Sequence, residues 1–311
     1  MLGYLPTEGF AAGRMTLDVD AAREAIRRDV AEPLGVDVVE AAWGIERIVN
    51  ANMANETRRI LASHGADPRE MSLIAHGGNG AVHGWAIANE LGIHRVLVPK
   101  VAPAFSALGV LVADYLVDLV QSYVAPLSRI DLERLRSLHS DLVGEARKEL
   151  EPTGLSDDEL DISVFVQMCY SGQSFDMSIP AGGGEGFRDS DLDGLAERFH
   201  AEHEAERGFC FRDQEPLVRG VRVVARGLTP KPERFAALGT ERDAESARLG
   251  SRPAYFGDEM VDTPVYDGPR LAVGAEIAGP ALVQEPFTVV VLPPDSSARV
   301  DDAGNYVLTL D

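Results

Sequence analysis

From Ser72 to Trp85 the chain reads Ser-Leu-Ile-Ala-His-Gly-Gly-Asn-Gly-Ala-Val-His-Gly-Trp. A short apolar run, a cluster of glycines and a helix-forming stretch follow one another without a gap. Leu73 to Ala75 reads as a buried strand and Ala81 to Leu91 as a helix, with Gly77, Gly78 and Gly80 at the turn between them. Glycine has no Cβ, so a turn of this kind lets backbone come close to a ligand. A second apolar run, Val96 to Pro99, follows the helix. Strand, helix and strand in this tight rhythm point to a parallel sheet and an α/β fold.

The flanking sequence extends that pattern. Leu17-Asp18-Val19-Asp20 offers caps for a helix from Ala21 to Val30, which Pro33 and Gly35 break. A longer helix is expected from Val38 to His64, with Ile45, Ile48, Val49, Met53 and Ile60 near one helical stripe. Phe105 to Asp114 has little polar face and reads as a buried helix. Leu116 to Val124 reads as a strand and Ile130 to Leu150 as a charged amphipathic helix. Ile162 to Tyr170 and Phe175 to Ile179 read as paired strands around Ser171-Gly172, and Gly182 to Gly186 as a flexible link. Leu192 to Arg207 is expected to be helical, Val218 to Gly227 a strand, and residues 231–251 a mobile loop. Beyond that, short apolar runs split by Gly and Pro suggest a small β-rich domain.

Composition narrows the partners. Lys plus Arg number 29 against 50 Asp plus Glu, a net charge of −21, which argues against nucleic acid or an anionic membrane as the main partner. The two cysteines, Cys169 and Cys210, lie in no paired spacing, so neither a disulfide framework nor a cysteine zinc site is expected, and a reducing cytoplasm fits. No apolar run reaches the roughly 18 residues of a membrane span. The first residues lack a basic region followed by an apolar core, so no signal peptide is expected.

Several residues are candidates for chemistry. The Gly77–Gly80 turn has three open readings: a nucleotide contact, a dinucleotide turn, and a tight turn that packs a helix on a sheet. The dinucleotide reading rests on Gly78-Asn-Gly80 with Gly84, but Lys100 stands where an acid is expected after the next strand. His76 and His83 are seven apart, the wrong spacing for a helical metal pair, whereas His200 and His203 have helical spacing beside Glu202 and Glu206. For that pair a solvated helix face is the blander account, and no metal is expected on the chain. Asn52, Asn55, Glu56 and Arg59 share a face of the long helix, suited to a ligand, a subunit contact or a polar face against another domain. Gln173, in Tyr170-Ser-Gly-Gln173, suits either a ligand or a hairpin. No Walker phosphate loop, nucleophile elbow or His-Glu-x-x-His is present, and no catalytic set assembles.

Taken together, the motifs resemble the C-terminal portion of the hydantoinase A/oxoprolinase family. The matching pieces are Asn50-Ala-Asn-Met53, Ala75–His83, Glu90–Pro99, Phe105–Asp114, Tyr170–Gln173, Val261–Tyr266 and Ile277–Pro286, in the family's order over nearly the whole chain. The family often has Phe and Pro where His76 and Ala81 flank the turn here, and a Gly-containing lead where Val101-Ala-Pro-Ala104 stands. The resemblance implies half of an actin-like ATPase fold over residues 1–155, a mixed α/β continuation with the mobile loop over 156–250, and a small β-rich domain over 251–311. It also implies that His76, Gly77, Gly78, Asn79 and Gly80 form the adenosine-contacting turn.

The family's other lobe carries a phosphate loop like Asp-x-Gly-Gly-Thr, and this sequence has none. Half a cleft cannot clamp a triphosphate and Mg²⁺. With Met1 at its start, the chain is expected to be a separate subunit of a multi-chain ligase, with ATP and Mg²⁺ shared with a partner that carries the phosphate-binding lobe. The resemblance points first to aryl-ketone carboxylases of the acetophenone carboxylase type, which join bicarbonate to a ketone to give a β-keto acid. The alternatives are an ATP-dependent amidohydrolase that opens a hydantoin, lactam or oxoproline ring, and a non-catalytic scaffold subunit.

Overall fold

The structure is a computed structural model that describes residues 1–183, 194–231 and 243–310. Its polypeptide forms two compact units: one joins residues 1–111 to the C-terminal stretch, and the other runs from Val112 to Lys231. These limits differ from the expected boundaries near residues 155 and 250. The reason is strand pairing. β2 (Arg95–Val98) pairs in parallel with β1 (Leu73–Ile74) on one side, Val96 opposite Leu73. On its other side it pairs antiparallel with β13 (Tyr306–Leu310), Val96 opposite Leu308. The C-terminal strands therefore complete the sheet that the glycine turn belongs to, instead of forming a domain of their own.

In the first unit, α1 (Phe10–Gly13) is a single irregular turn and α2 (Val19–Ile26) is capped by Asp18, whose carboxylate accepts from Ala21 N–H. A π-helical turn and α3 (Glu32–Leu34) lead to Gly35 in the left-handed conformation. Asp37 caps α4 (Val38–Ser63). α5 (Gly80–Leu91) ends at left-handed Gly92. The turn's sheet has the order β1-β2-β13-β12-β9, with β9 at Glu276–Ala278 and β12 at Ser296–Val300. A second sheet has the order β11-β10-β8-β7, with β7 Arg248–Tyr255, β8 Met260–Asp267, β10 Ala281–Glu285 and β11 Thr288–Leu292. β11 is buried throughout because it serves two cores. Val290 and Leu292 join Ala88, Val96 and Leu308 in one, while Val289 and Val291 join Tyr4, Ala42 and Val82 in the other.

The second unit is one antiparallel sheet of order β3-β6-β4-β5. Its strands are β3 (Tyr115–Pro126), β4 (Leu160–Cys169), β5 (Met177–Gly183) and β6 (Leu217–Gly227). α7 (Leu132–Leu150) lays Leu135, Leu138, Leu142 and Ala146 on Val164, Val166, Val221 and Val223, an apolar stripe at helical spacing. α8 (Leu195–Arg207) adds Leu195 and Phe199 to the same core.

Two expectations of burial fail for one physical reason, and a third, of a loop, fails on strand pairing. α6 (Phe105–Val112) was expected to be buried, yet none of its residues is, and Val110 and Leu111 are 77% and 78% exposed. On α4 the expected apolar stripe faces outward: Ile45, Ile48, Val49 and Ile60 are all exposed. The helix instead buries Ala41, Ala42, Asn50 and Ala54. Periodicity marks which residues share a face, but burial needs a wall for that face to meet. The third failure is the long loop. Residues 248–251 belong to β7, and those from 232 to 242 lie outside the described residues, as do 184–186 of the expected glycine link.

Candidate functional site

The glycine turn sits where β1 hands over to α5, and its four glycines have different reasons for being there. Gly77 needs its φ of +86°, and its N–H bonds Ala102 O at 2.7 Å. Gly80 and Gly84 are packing glycines: a Cβ would lie 3.2 Å from Ala75 C at the first and 2.8 Å from Ala75 Cβ at the second. They let α5 lie against the strand. Gly78 has no such reason. The nearest atom to a Cβ there is Phe287 O at 4.0 Å, and its φ is not positive. At Gly77 a Cβ would meet nothing within 4 Å. The open side of the turn is thus backbone without side chains facing free space, a cradle that a flat ligand can approach.

The turn's flanks diverge. His76 is exposed and sits against Phe105, ring centroids 5.2 Å apart. Asn79 precedes α5 without capping it and is exposed. One turn further on, His83 Nδ1 lies 2.9 Å from Asn50 Oδ1 and 3.4 Å from Glu46 Oε1. Asn50 Nδ2 donates to the same Glu46 oxygen at 3.4 Å. Because Asn50 Oδ1 can only accept, Nδ1 carries the proton. Asn50 is buried behind the pair, whereas Glu46, Asn79 and His83 line a cavity of about 480 Å³. Tyr4 closes another wall, its hydroxyl donating to Tyr255 O. Burial, reinforced by the charge of Glu46, holds that phenol above its ordinary pKa.

Glu46 and Asn50 were not among the sequence candidates for a ligand, and His83 was weighed only as half of a metal pair. A signal was there, since Glu46 and Asn50 are four apart on one helix and so share a face. Nothing along the chain, however, links that face to His83. Of the residues that did stand out on this helix, three have found partners within a turn of themselves. Asn52, Asn55, Glu56 and Arg59 are exposed, with Arg59 Nε donating to Glu56 at 3.0 Å and Arg58 to Asn55 at 2.7 Å. Lys100, the residue of the dinucleotide reading, is 2.7 Å from Glu285 beside Tyr306, so it is not free to hold a phosphate.

Gln173 belongs to the second unit and to a hydrogen-bonded network there. It accepts from Tyr170 N–H at 3.1 Å and donates to His203 Nε2 at 2.9 Å. His203 Nδ1 therefore carries the proton and donates to Phe209 O at 2.7 Å. Tyr170 accepts from Phe211 N–H at 2.9 Å and donates to His200 Nδ1 at 2.6 Å. The expected solvated face at His200 and His203 is in fact buried, at 6% and 0% exposure. Among the described residues no three His, Cys, Asp or Glu side chains converge on a metal position. No described helix is long and apolar enough to cross a membrane.

Comparison with known proteins bears on this geometry. Residues 1–119 match the Hydantoinase/oxoprolinase family, and residues 129–307 match the Hydantoinase/oxoprolinase C-terminal domain. Caprolactamase subunit alpha of Pseudomonas jessenii is 34% identical over 99% of this chain and 45% of its own length. The acetophenone carboxylase gamma subunit of Aromatoleum aromaticum is 30% identical over 99% of this chain and 43% of its own. Among solved structures, nucleotide-free acetone carboxylase superposes with a TM-score of 0.82 at 26% identity, over 100% of this chain and 45% of that one. The chain thus spans less than half the length of these relatives.

Proposed function

The chain belongs to the hydantoinase/oxoprolinase family, and from that membership we propose that it supplies the adenosine side of an ATP cleft in an ATP-dependent enzyme. One observation carries this reading: the bare backbone at Gly77 and Gly78, which no packing demand at Gly78 explains. His76, Asn79 and Gly80 frame that backbone. ATP bound there supplies the phosphoryl group that activates a carbonyl oxygen of the substrate. The lobe is of the actin-like kind, and the phosphate-binding lobe and Mg²⁺ ligands come from the remainder of the family's length, carried by a partner polypeptide. The setting is a reducing cytoplasm, in keeping with two cysteines that are both free.

For the substrate, the reading is an aryl ketone that is carboxylated to a β-keto acid, as in an acetophenone carboxylase-like complex. A second reading, the opening of a cyclic amide, is favoured by the 34% identity to the alpha subunit of a caprolactamase. Both begin with activation of a carbonyl oxygen, so the lobe serves either.

The test is ATP binding by calorimetry, on this chain alone and on the chain assembled with its partner. Heat of binding in the assembly, lost in Gly78→Val while folding is kept, is the expected result. Absence of binding in both samples would leave a scaffold role and remove the adenosine assignment of Gly77 and Gly78.

A further inference from the structure

The cavity beside the turn has a chemistry of its own. It lies among the N-terminal segment, α2, α4 and α5, and shares Asn79 with the glycine turn. Leu5, Ile26, Ala42 and Val82 give it apolar walls. The segment that closes it is held in place: Leu2 O accepts from Tyr255 N–H at 2.9 Å, and Arg252 donates to Gly3 O at 2.8 Å and Tyr4 O at 2.7 Å. Into this apolar space comes one carboxylate. The Glu46 side chain is only 12% exposed, and both of its contacts, at 3.4 Å, fall on Oε1. Oε2 has no partner among the described residues. Arg23, also on the lining, is exposed. A mostly enclosed carboxylate with both contacts on one oxygen keeps acceptor capacity on the other for a donor brought by a ligand.

We infer that this cavity is the base pocket of the nucleotide site, and that Glu46 selects a purine bearing an exocyclic amino group. The inference rests on the reading that the glycine turn holds a nucleoside. A purine is a flat, largely apolar body of a size the cavity admits, and the adenine amino group is a donor that Glu46 can take. A purine with a carbonyl at that position sets an acceptor against the carboxylate and leaves both unpaired, which is the strongest form of discrimination a polar pocket has. Asn50 and His83 are positioning residues here, since their bonds to Oε1 turn Oε2 toward the open space.

Adenosine and inosine separate this idea from the ATP reading, because neither needs the phosphate lobe. Calorimetric titration of the full chain should show adenosine binding at least about tenfold tighter than inosine, the scale of one hydrogen bond to a charged group. Glu46→Leu, and the shape-keeping Glu46→Gln, should bring the two affinities together by weakening adenosine. Ala22→Phe, at an exposed position on the lining, should weaken both nucleosides alike. Circular dichroism checks that each variant folds. Equal affinities in the native protein, or an unchanged ratio in Glu46→Leu, would overturn the role of Glu46 and leave the ATP reading standing. Binding of ATP with neither nucleoside bound would overturn the pocket, and failure of all three ligands, on the chain alone and on its assembly with the partner, would remove both.

Discussion

Among the described residues, two histidine-centred networks differ in how much of their bonding capacity the fold itself uses. In the second unit, Tyr170, Gln173, His200 and His203 form a network in which both nitrogens of His203 and the tyrosine hydroxyl have partners within the fold, while His200, bonded through Nδ1, reaches the wall of a shallow surface pocket. In the first, His83, Asn50 and Glu46 use one ring nitrogen and one carboxylate oxygen and leave the others on a cavity wall. A network whose capacity is spent internally holds a fold together, whereas one with capacity left over can hold something else. Burial alone would have ranked them the other way, since His203 is the more deeply enclosed.

That contrast can be broken at several points. The largest effect is expected from Tyr170→Ala, which removes a fully enclosed ring and the hydroxyl that ties Phe211 to His200. It should cost about 3–5 kcal/mol, read by hydrogen exchange along β4 and β6. Because both tryptophans, Trp43 and Trp85, lie in the first unit, their fluorescence transition should stay in place. A shift of both signals together would mean that the units do not unfold independently.

A smaller effect separates the glycines of the turn. Gly84→Val puts a branched side chain where even a Cβ would lie 2.8 Å from Ala75 Cβ and 3.4 Å from Val96 Cγ1. Overpacking of this kind costs about 1–3 kcal/mol. Gly78→Val, in open space, should leave the midpoint of chemical denaturation nearly unchanged and act on nucleotide binding alone. Equal destabilisation by the two would return the turn to the status of a packing device.

The smallest effect is a pH dependence of the second unit. Burial holds His200 below its ordinary pKa, so the native state keeps it neutral where the unfolded chain would already take up a proton. Stability is then complete above the unfolded value of 6.5 and declines as pH falls below it toward the folded value. Protection of β6 amides, taken relative to their intrinsic exchange rates at each pH, should fall over that range, and His200→Gln should flatten the response. A response that survives this substitution would assign it to another group.

Much of the architecture was legible in the chain. Asp18 marks a helix start by capping chemistry, which is local, and β1, the turn and α5 follow from an apolar run meeting glycines. The paired strands β4 and β5 likewise follow from alternation around Ser171-Gly172. What stayed hidden was long-range. β9 and β12 are short and half polar, so they carry no periodic signal, and they exist because β13 returns to pair with β2.

The sequence by itself determined the element types, the turn that contacts a ligand in the proposed reading, and the family, because caps, glycines and periodicity act over a few residues. Tertiary structure alone decided which of four glycines is free of packing, that Lys100 is spent on Glu285, and that α6 and the stripe on α4 lie open. It also brought His83 to Glu46 across 37 positions in the chain, counted as 83 − 46. A side chain's role depends on what stands opposite it, and that is settled only when distant segments pack.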